Sequence, residues 1–248
     1  MKTISILILL IILIGCTTDI NNVCILDDSS KWKVSDSTSN GSPFGSAWNK
    51  NNVQIDDCKL SFFINDTPLS GKPFSSGEIK SKVLIQDGKF EVNIKPPKVS
   101  GVITGFFLFS DNTDSANHHE IDFEFVGTKT DSVQINYIFN GVRGKEKFIY
   151  LGFDASLDFH RYSIVWSKDS VVWYADEKKI FAISSTCVSI PSTPMKVFFN
   201  LWCVDDSDAT YWSGKFTYPN KPVYAFFENY EMKNVNSVSK IQKQKIGK

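Results

Sequence analysis

Three carboxylates occupy alternate positions in one short stretch of the chain, at Glu120, Asp122 and Glu124. Apolar residues fill the positions between them, so the stretch is predicted to be a β-strand with one acidic and one apolar face. Because like charges crowded on one face repel, and a buried carboxylate without a partner is costly, the pattern suits a purely structural strand poorly. A solvated edge strand is the alternative, but such strands usually mix charges or carry Lys.

Paired carboxyl groups are what glycoside hydrolysis requires on either side of the bond that breaks. Retaining enzymes hold the pair about 5–5.5 Å apart, and two Glu side chains whose Cα atoms are about 13 Å apart along a strand can lean towards that separation. The spacing therefore favours a retaining over an inverting reaction. Since three close carboxyls cannot all ionise cheaply, at least one should hold a proton near neutral pH, with Asp122 coupling Glu120 to Glu124.

The elements that must position these acids are predicted to be strands. Short apolar or alternating runs recur from Val53 onward, with turn signals such as Asn140-Gly141 between them, and no stretch keeps a 3.6-residue period over three turns. The predicted strands cover residues 53–64, 78–85, 88–95, 101–109, 118–126, 132–139, 145–150, 159–166, 171–176, 179–183, 195–203 and 222–233. So many short strands indicate an all-β fold of two packed antiparallel sheets.

Residues 31–50 are predicted to be a loop at the mouth of a site, because Trp32, Phe44 and Trp48 stand there among Ser, Asn and Gly. The composition agrees with one β domain, since the 248 residues are 42% hydrophobic and 14% aromatic. Lys plus Arg and Asp plus Glu number 27 each, so charge gives no reason to expect nucleic acid as a partner.

Residues 1–16 are predicted to be a signal peptide. An apolar run from residue 4 to residue 14 is too short to span a bilayer as a helix but suits a secretory signal. Leu13-Ile14-Gly15-Cys16 also resembles a bacterial lipobox, in which Cys16 would be lipidated and tether the protein to a membrane; a plain signal peptide with an incidental Cys is the alternative. Residues 17–30 are predicted to be a tether, 31–235 the folded domain and 236–248 a disordered tail.

Export permits disulfides, and four cysteines remain after Cys16. They allow two bridges, one or none, and the absence of a Cys-x-x-Cys pair argues against zinc. His118 shares the face of Glu120, but His119 points the other way, so no metal site is predicted here.

The carboxylate strand resembles a motif of one known enzyme family. Glu-Ile-Asp-Phe-Glu-Phe-Val-Gly, residues 120–127, resembles the catalytic strand of glycoside hydrolase family 16, whose jelly-roll enzymes cleave β-glucans and galactans with retention. The resemblance implies that Glu120 is the nucleophile, Glu124 the acid/base and Asp122 the assisting carboxylate. The unbulged Glu-x-Asp-x-Glu spacing is similar to lichenases, xyloglucan-active enzymes and fungal wall transglycosylases, and differs from that of laminarinases and agarases.

The resemblance covers roughly residues 31–233 and includes 77–80, 134–137, 151–156, 190–194, 200–202 and 212–214. It implies a set of substrate-binding residues: Asn40, Phe44, Glu78, Lys80, His118, Asn136, Asn200, Trp202 and Trp212. Phe107 and Phe109 alternate onto one face, where they either join the cleft or pack in the core.

Departures from the lichenase pattern concern specificity and cross-links. Lichenases usually carry Trp at the position of His118, and His there is nearer to the xyloglucan-active members, although their Cys-rich C-terminal extension is missing. Ser46 and Ser76 stand in place of the lichenase cysteines. The resemblance implies instead that Cys24 pairs with Cys58, next to a structural calcium site.

Whether calcium binds at that site is left open, because Glu228 stands where an Asp ligand is usual. No other cofactor is expected. We therefore expect a jelly-roll β-sandwich of two curved antiparallel sheets with a concave substrate cleft. The expected protein is a monomeric, exported, retaining endo-β-glucanase that acts on β-1,3-1,4-glucan, located outside the cell or in the cell envelope. The alternatives are a xyloglucan endo-hydrolase or transglycosylase, and a jelly roll that binds glycan without catalysis.

Overall fold

The computed structural model describes residues 28–112, 114 and 116–233. Two seven-stranded antiparallel sheets account for most of this part of the chain, and a short parallel pair, β2 with β5, forms a third sheet. The first sheet has the order β1–β6–β15–β8–β9–β10–β11 and the second β14–β13–β12–β7–β16–β4–β3. The two large antiparallel sheets confirm the predicted fold class.

The strands are β1 (Trp32–Val34), β2 (Ser46–Trp48), β3 (Val53–Asp56), β4 (Lys59–Ile64), β5 (Phe74–Ser76), β6 (Glu78–Ser81), β7 (Gly88–Lys95), β8 (Val102–Phe109), β9 (Glu120–Val126), β10 (Ser132–Ile138), β11 (Lys147–Tyr150), β12 (His160–Trp166), β13 (Ser170–Ala175), β14 (Lys178–Ser184), β15 (Lys196–Cys203) and β16 (Val223–Lys233). A 3-10 turn covers Lys50–Asn52 and a one-turn helix, α1, covers Thr210–Ser213.

The prediction of a continuous loop over residues 31–50 is wrong. Strand β1 pairs with β6, and β2 pairs with β5. Trp32 and Trp48 are only 5% and 2% exposed, so these rings belong to the core and not to the mouth of a site. The run predicted over 53–64 is also divided in two, because Asp57 and Cys58 adopt positive φ and turn the chain between β3 and β4.

Alternation along each strand builds the core between the sheets. Ile121, Phe123 and Phe125 of β9 are buried, and Phe123 and Phe125 pack against Tyr162 of the second sheet. Burial of each such side chain contributes about 1.5–3 kcal/mol. Because the apolar face of β9 is fixed in the core, the residues at its alternate positions must point to the opposite side of the first sheet.

A buried hydrogen bond also ties β9 to the second sheet. Trp173 of β13 is fully buried, and its indole Nε1 donates to the backbone carbonyl oxygen of Asp122 over 3.0 Å. The middle residue of the carboxylate strand is therefore held from behind by the facing sheet.

Several predictions concern residues outside the described range, namely the signal peptide 1–16 with Cys16, most of the tether 17–30 with Cys24, and the tail 236–248. Cys58 is disulfide-bonded, whereas Cys187 and Cys203 are free. Because Cys24 is not described, its pairing with Cys58 stays a prediction. Within the described residues, no helix has both the length and the apolar character needed to cross a membrane.

Candidate active site

Pairing across the first sheet brings the predicted site residues into rows. Glu124 stands opposite Gly105 of β8 and Gln134 of β10. Asn200 of β15 stands opposite Gly105, and Glu78 of β6 opposite Asn200. Directly opposed residues share a face, so this row crosses five strands on the side of the sheet that faces away from the core. We call this side the cleft face.

A second row runs parallel to the first through Asp122. Phe107 of β8 and Asn136 of β10 stand opposite Asp122, and Phe198 and then Lys80 continue the row across β15 and β6. The structure thus places Phe107 on the cleft face, where its ring stacks on that of Phe198 with centroids 4.9 Å apart. Phe109 lies on the same face, opposite Glu120.

Glu120 contacts both of the neighbours that the sequence places on its face. His118 Nε2 lies 3.0 Å from Glu120 Oε2, and the buried His118 ring packs edge-on against Phe109. The carboxyl of Glu120 also forms a hydrogen bond with Asp122. His118 is therefore positioned to orient Glu120.

Asp122 is the most deeply buried of the three acids. Burial raises the pKa of Asp122 well above its ordinary value, and the charges of Glu120 and Glu124 raise it further. A hydrogen bond with Asn136 opposes the shift. The direction of this shift favours a protonated Asp122, which can donate a hydrogen bond to Glu120.

Glu124 is half-buried and bound on one side. Gln134 Nε2 donates to Glu124 Oε2 over 2.6 Å, and Gln134 Oε1 accepts from Trp212 Nε1, also over 2.6 Å. Burial and then the charge of Glu120 raise the pKa of Glu124 to about 7, while the bond from Gln134 opposes the shift. A carboxyl with this pKa is suited to donate and then take up a proton near neutral pH.

Glu78 and Asn200 form a buried polar pair in the Glu124 row. Ser35 Oγ donates to Glu78 Oε1 over 2.7 Å, and Asn200 Nδ2 lies 3.5 Å from Glu78 Oε2. Burial raises the pKa of Glu78. Within the part of the chain that the structure describes, the buried Oδ1 atoms of Asn200, Asn136 and Asp122 have no hydrogen-bond partner. Such atoms suit a ligand rich in hydroxyl donors.

Aromatic rings gather at one end of the cleft face. The ring of Phe44 stacks on that of Trp202 with centroids 4.1 Å apart, and Trp202 lies 6.2 Å from Trp212. The loop that carries Phe44 is fixed by the backbone bond from Gly45 N to Cys203 O. Asn40 lies in the same loop, but it is exposed, and the contacts of the described residues do not connect it to the other predicted site residues.

Lys80 is held by an acid that the sequence did not single out. Asp111 accepts from Lys80 Nζ over 2.9 Å and from Lys196 Nζ over 2.6 Å. Burial alone would raise the pKa of Asp111, but the bonds from Lys196 and Lys80 hold it below its ordinary value. Lys80 Nζ also lies 5.3 Å from the centre of the Phe198 ring. Asp111 follows β8 in a loop without periodicity, so no pattern could have identified it.

Gln134 and Gly105 are site residues that the sequence prediction also missed. Gln134 shares strand β10 with Asn136 two positions on, so alternation alone places both on the cleft face. Gly105 stands between Glu124 and Asn200, and a Cβ there would lie 2.4 Å from Asn200 Oδ1. The glycine therefore leaves room in the middle of the cleft face.

The two serines in place of the lichenase cysteines face each other. Ser46 Oγ and Ser76 Oγ are buried and 2.8 Å apart, so a hydrogen bond joins the two strands there. Glu228 Oε1 accepts from the side-chain amides of Asn93 and Asn229, each at 3.3 Å, and calcium binding beside it stays an open prediction.

Comparison with known proteins identifies the family. A family model described as "Glycosyl hydrolases family 16" matches residues 40–220. The chain belongs to this family. The solved structure "Bacillus licheniformis beta-glucanase" is 34% identical, with a TM-score of 0.74 over 84% of this chain and 93% of that one. The family assignment and the jelly-roll fold predicted from the sequence are thereby confirmed.

Other relatives in the family carry more specific names. A "prokaryotic beta-1,3-1,4-glucanase (lichenase) derived from a mouse hindgut metagenome" is 29% identical, with a TM-score of 0.75 over 84% of this chain and 94% of that one. The "Beta-glucanase" of Brevibacillus brevis is 39% identical over 140 residues, which are 56% of this chain and 52% of the relative. The match thus spans about half the length of such curated relatives.

Proposed function

We propose that this chain is a retaining endo-β-glucanase that hydrolyses β-1,3-1,4-glucan through a covalent glycosyl-enzyme intermediate. The observation that carries the proposal is the pair of differently tuned acids on β9. Glu124 has a pKa raised to about 7, and Glu120 lies on the same face of the strand, on the other side of the buried Asp122. An acid that is half-protonated near neutral pH and a second carboxylate on the same face are the two groups that a retaining glycosidase uses.

In the first step Glu120 attacks the anomeric carbon while Glu124 donates its proton to the oxygen of the leaving sugar. The bond from carbon to the leaving oxygen breaks as the bond to Glu120 forms. In the second step the ionised Glu124 removes a proton from water, which attacks the same carbon and releases Glu120. His118 and Asp122 orient Glu120 through their contacts with its carboxyl.

The choice of substrate rests on the relatives' names and on the polar and aromatic groups of the cleft face. The buried acceptor oxygens of Asn136 and Asn200 suit sugar hydroxyls, and the partly exposed ring of Phe44, stacked on the buried Trp202, suits the apolar face of a sugar ring. The solved relative named as a β-1,3-1,4-glucanase makes this polymer the first choice.

A xyloglucan hydrolase or a transglycosylase is the second candidate, and His118 is the observation that favours it. The histidine touches Glu120 where lichenases usually place Trp, so the shape of the cleft beside the reacting carbon differs from theirs. A jelly roll that only binds glycan would not need Glu124 tuned to a pKa of about 7, so this third candidate is disfavoured.

Product analysis separates these candidates. The protein is incubated with lichenan, xyloglucan, laminarin and cellulose, with and without acceptor oligosaccharides. We expect cleavage of lichenan, with loss of at least about a thousandfold of kcat in Glu120→Ala, which should still unfold in one cooperative transition. Activity retained by Glu120→Ala would show that the mechanism is wrong, and no cleavage of any glucan would favour the binding module.

We propose further that the protein is exported through its N-terminal segment, with Cys16 lipidated and Cys24 paired with Cys58, and that it acts as a monomer. The short apolar run, the lipobox-like sequence and the disulfide at Cys58 support this. Mass spectrometry of the mature protein tests all three points: a diacylglyceryl Cys16 at the N-terminus, a Cys24–Cys58 peptide and a monomeric native mass are expected. An unmodified Cys16 or a free Cys58 thiol would contradict them.

A further inference from the structure

The edge strand β11 carries two exposed aromatic rings that the proposed reaction has not yet used. Phe148 stands opposite Gln134, and Tyr150 opposite Ser132. Phe148 is 37% exposed and Tyr150 72%. Lys147, the residue directly before Phe148, points to the other side, where its Nζ lies 4.9 Å from the centre of the Phe181 ring in the second sheet. Phe148 and Tyr150 therefore both lie on the cleft face.

Phe148 extends the row that contains the acid/base residue. The row runs from Glu124 through Gln134 to Phe148, and two strand spacings put the Phe148 Cα about 10 Å from that of Glu124. Lys129 Nζ lies 4.1 Å from the centre of the Phe148 ring, which fixes the ring from one side by a cation–π contact. The ring is thus a positioned, partly exposed apolar surface beyond the reacting bond.

The direction of the substrate follows from Glu124. An acid that protonates the leaving oxygen must lie on the side of the reacting carbon where the leaving sugar departs. The carboxyl of Glu124 is bound from β10 by Gln134, whereas the pair Glu78–Asn200 and the stacked ring Trp202 occupy the opposite flank, on β6 and β15. The sugars that leave are therefore directed over β10 and β11.

We propose that Phe148, with Tyr150 beside it, forms the subsite that binds the leaving-group sugars of the glucan chain. This inference rests on the proposed function. By microscopic reversibility the same rings receive an acceptor sugar when the glycosyl group is transferred to a sugar and not to water.

The exposed area favours a sugar over a second copy of the chain. With about 200 Å² for each aromatic side chain, the two rings expose about 220 Å² together, far below the roughly 800 Å² that each partner contributes to a stable interface. A sugar ring needs only a small apolar surface flanked by a hydrogen-bonding group, and the ammonium group of Lys129 provides one beside Phe148.

The test compares two substrates that differ only beyond the reacting bond. One is a glucan oligosaccharide long enough to cover both flanks. The other is the β-fluoride of its non-reducing half, whose leaving group is a single fluoride ion. In Phe148→Ala we expect kcat/KM for the oligosaccharide to fall by about tenfold, the size expected for one lost aromatic contact, with the fluoride unchanged. Phe148→Tyr should restore most of the loss.

Phe226→Ala is the matched control, because Phe226 is 39% exposed on the outer face of the second sheet. It should change neither substrate. Equal losses on both substrates in Phe148→Ala, or no loss on the oligosaccharide, would overturn the inference while leaving the proposed function intact. A wild-type protein that cleaves neither substrate would overturn both.

Acceptor transfer gives a second readout. The double variant Phe148→Ala/Tyr150→Ala should lower the ratio of transfer to hydrolysis from the fluoride in the presence of a glucan acceptor, because the acceptor loses its rings while water does not. An unchanged ratio would place the acceptor elsewhere and contradict the assignment.

Discussion

The raised pKa of Glu124 has a consequence for stability that can be measured without any substrate. Between its ordinary value of 4.5 and about 7, the folded protein keeps the proton on Glu124 while the unfolded chain has released it. The folded state then binds more protons than the unfolded state, so the free energy of unfolding falls as the pH rises through this window. Replacing Glu124 by Gln removes that contribution.

The magnitude follows from the pKa. The difference between 4.5 and about 7 corresponds to a ceiling of about 3.4 kcal/mol at about 1.36 kcal/mol per pH unit. Because Glu124 is partly exposed, solvent screening reduces this value, and we expect about 2 kcal/mol. Glu124→Gln should therefore gain about 2 kcal/mol over the wild type between pH 5 and pH 8.

Urea unfolding followed by tryptophan fluorescence, repeated at half-unit steps from pH 5 to pH 8, measures the difference. Glu177→Gln is the matched control, because Glu177 is exposed in the turn between β13 and β14, and it should follow the wild type throughout. If the curves of Glu124→Gln and the wild type run parallel over the whole range, Glu124 does not have a raised pKa, and its assignment as the acid loses its physical basis.

Three further predictions follow from the site and its supports. In a plot of kcat/KM against pH, the fall on the basic side should have an apparent pKa of about 7, because Glu124 must be protonated to act as the acid. A fall that begins only above pH 9 would contradict this. Gly105→Ala should lower kcat/KM about tenfold with little change in the urea midpoint, because the added Cβ would displace Asn200 Oδ1. An activity equal to that of the wild type would show that Asn200 does not touch the substrate. Ser46→Cys/Ser76→Cys should form a disulfide that adds about 3 kcal/mol under oxidising conditions only, and free thiols after oxidation would show that the Oγ distance of 2.8 Å does not extend to a bridge.

The carboxylate strand and the two-sheet fold could be predicted because alternation is a local signal. Polar and apolar residues alternate along β9, and the apolar residues Ile121 and Phe123 show which face of the strand points to the core. Asn136 is predicted from the family resemblance and lies opposite Asp122, and the alternation rule applied to its strand would also have found Gln134, which binds Glu124.

Other parts of the site depend on contacts between distant segments, which a single sequence does not display. Asp111 lies in a loop and meets Lys80 and Lys196 only because β6 and β15 are neighbours in the sheet. Strands β1, β2 and β5 have three residues each, too few to show a period, and pairing with longer strands defines them. The Ser, Asn and Gly around Trp32 therefore predict a loop, although its ring lies in the core.

The bond from the Trp173 indole to the carbonyl oxygen of Asp122 links the reacting strand to the far half of the molecule. The backbone beneath the three acids cannot shift along its own axis unless that indole follows, and the indole is enclosed by the second sheet. The catalytic activity thus depends on the alignment of the two sheets. Sliding of one sheet over the other would abolish activity even though the strands within each sheet were still paired.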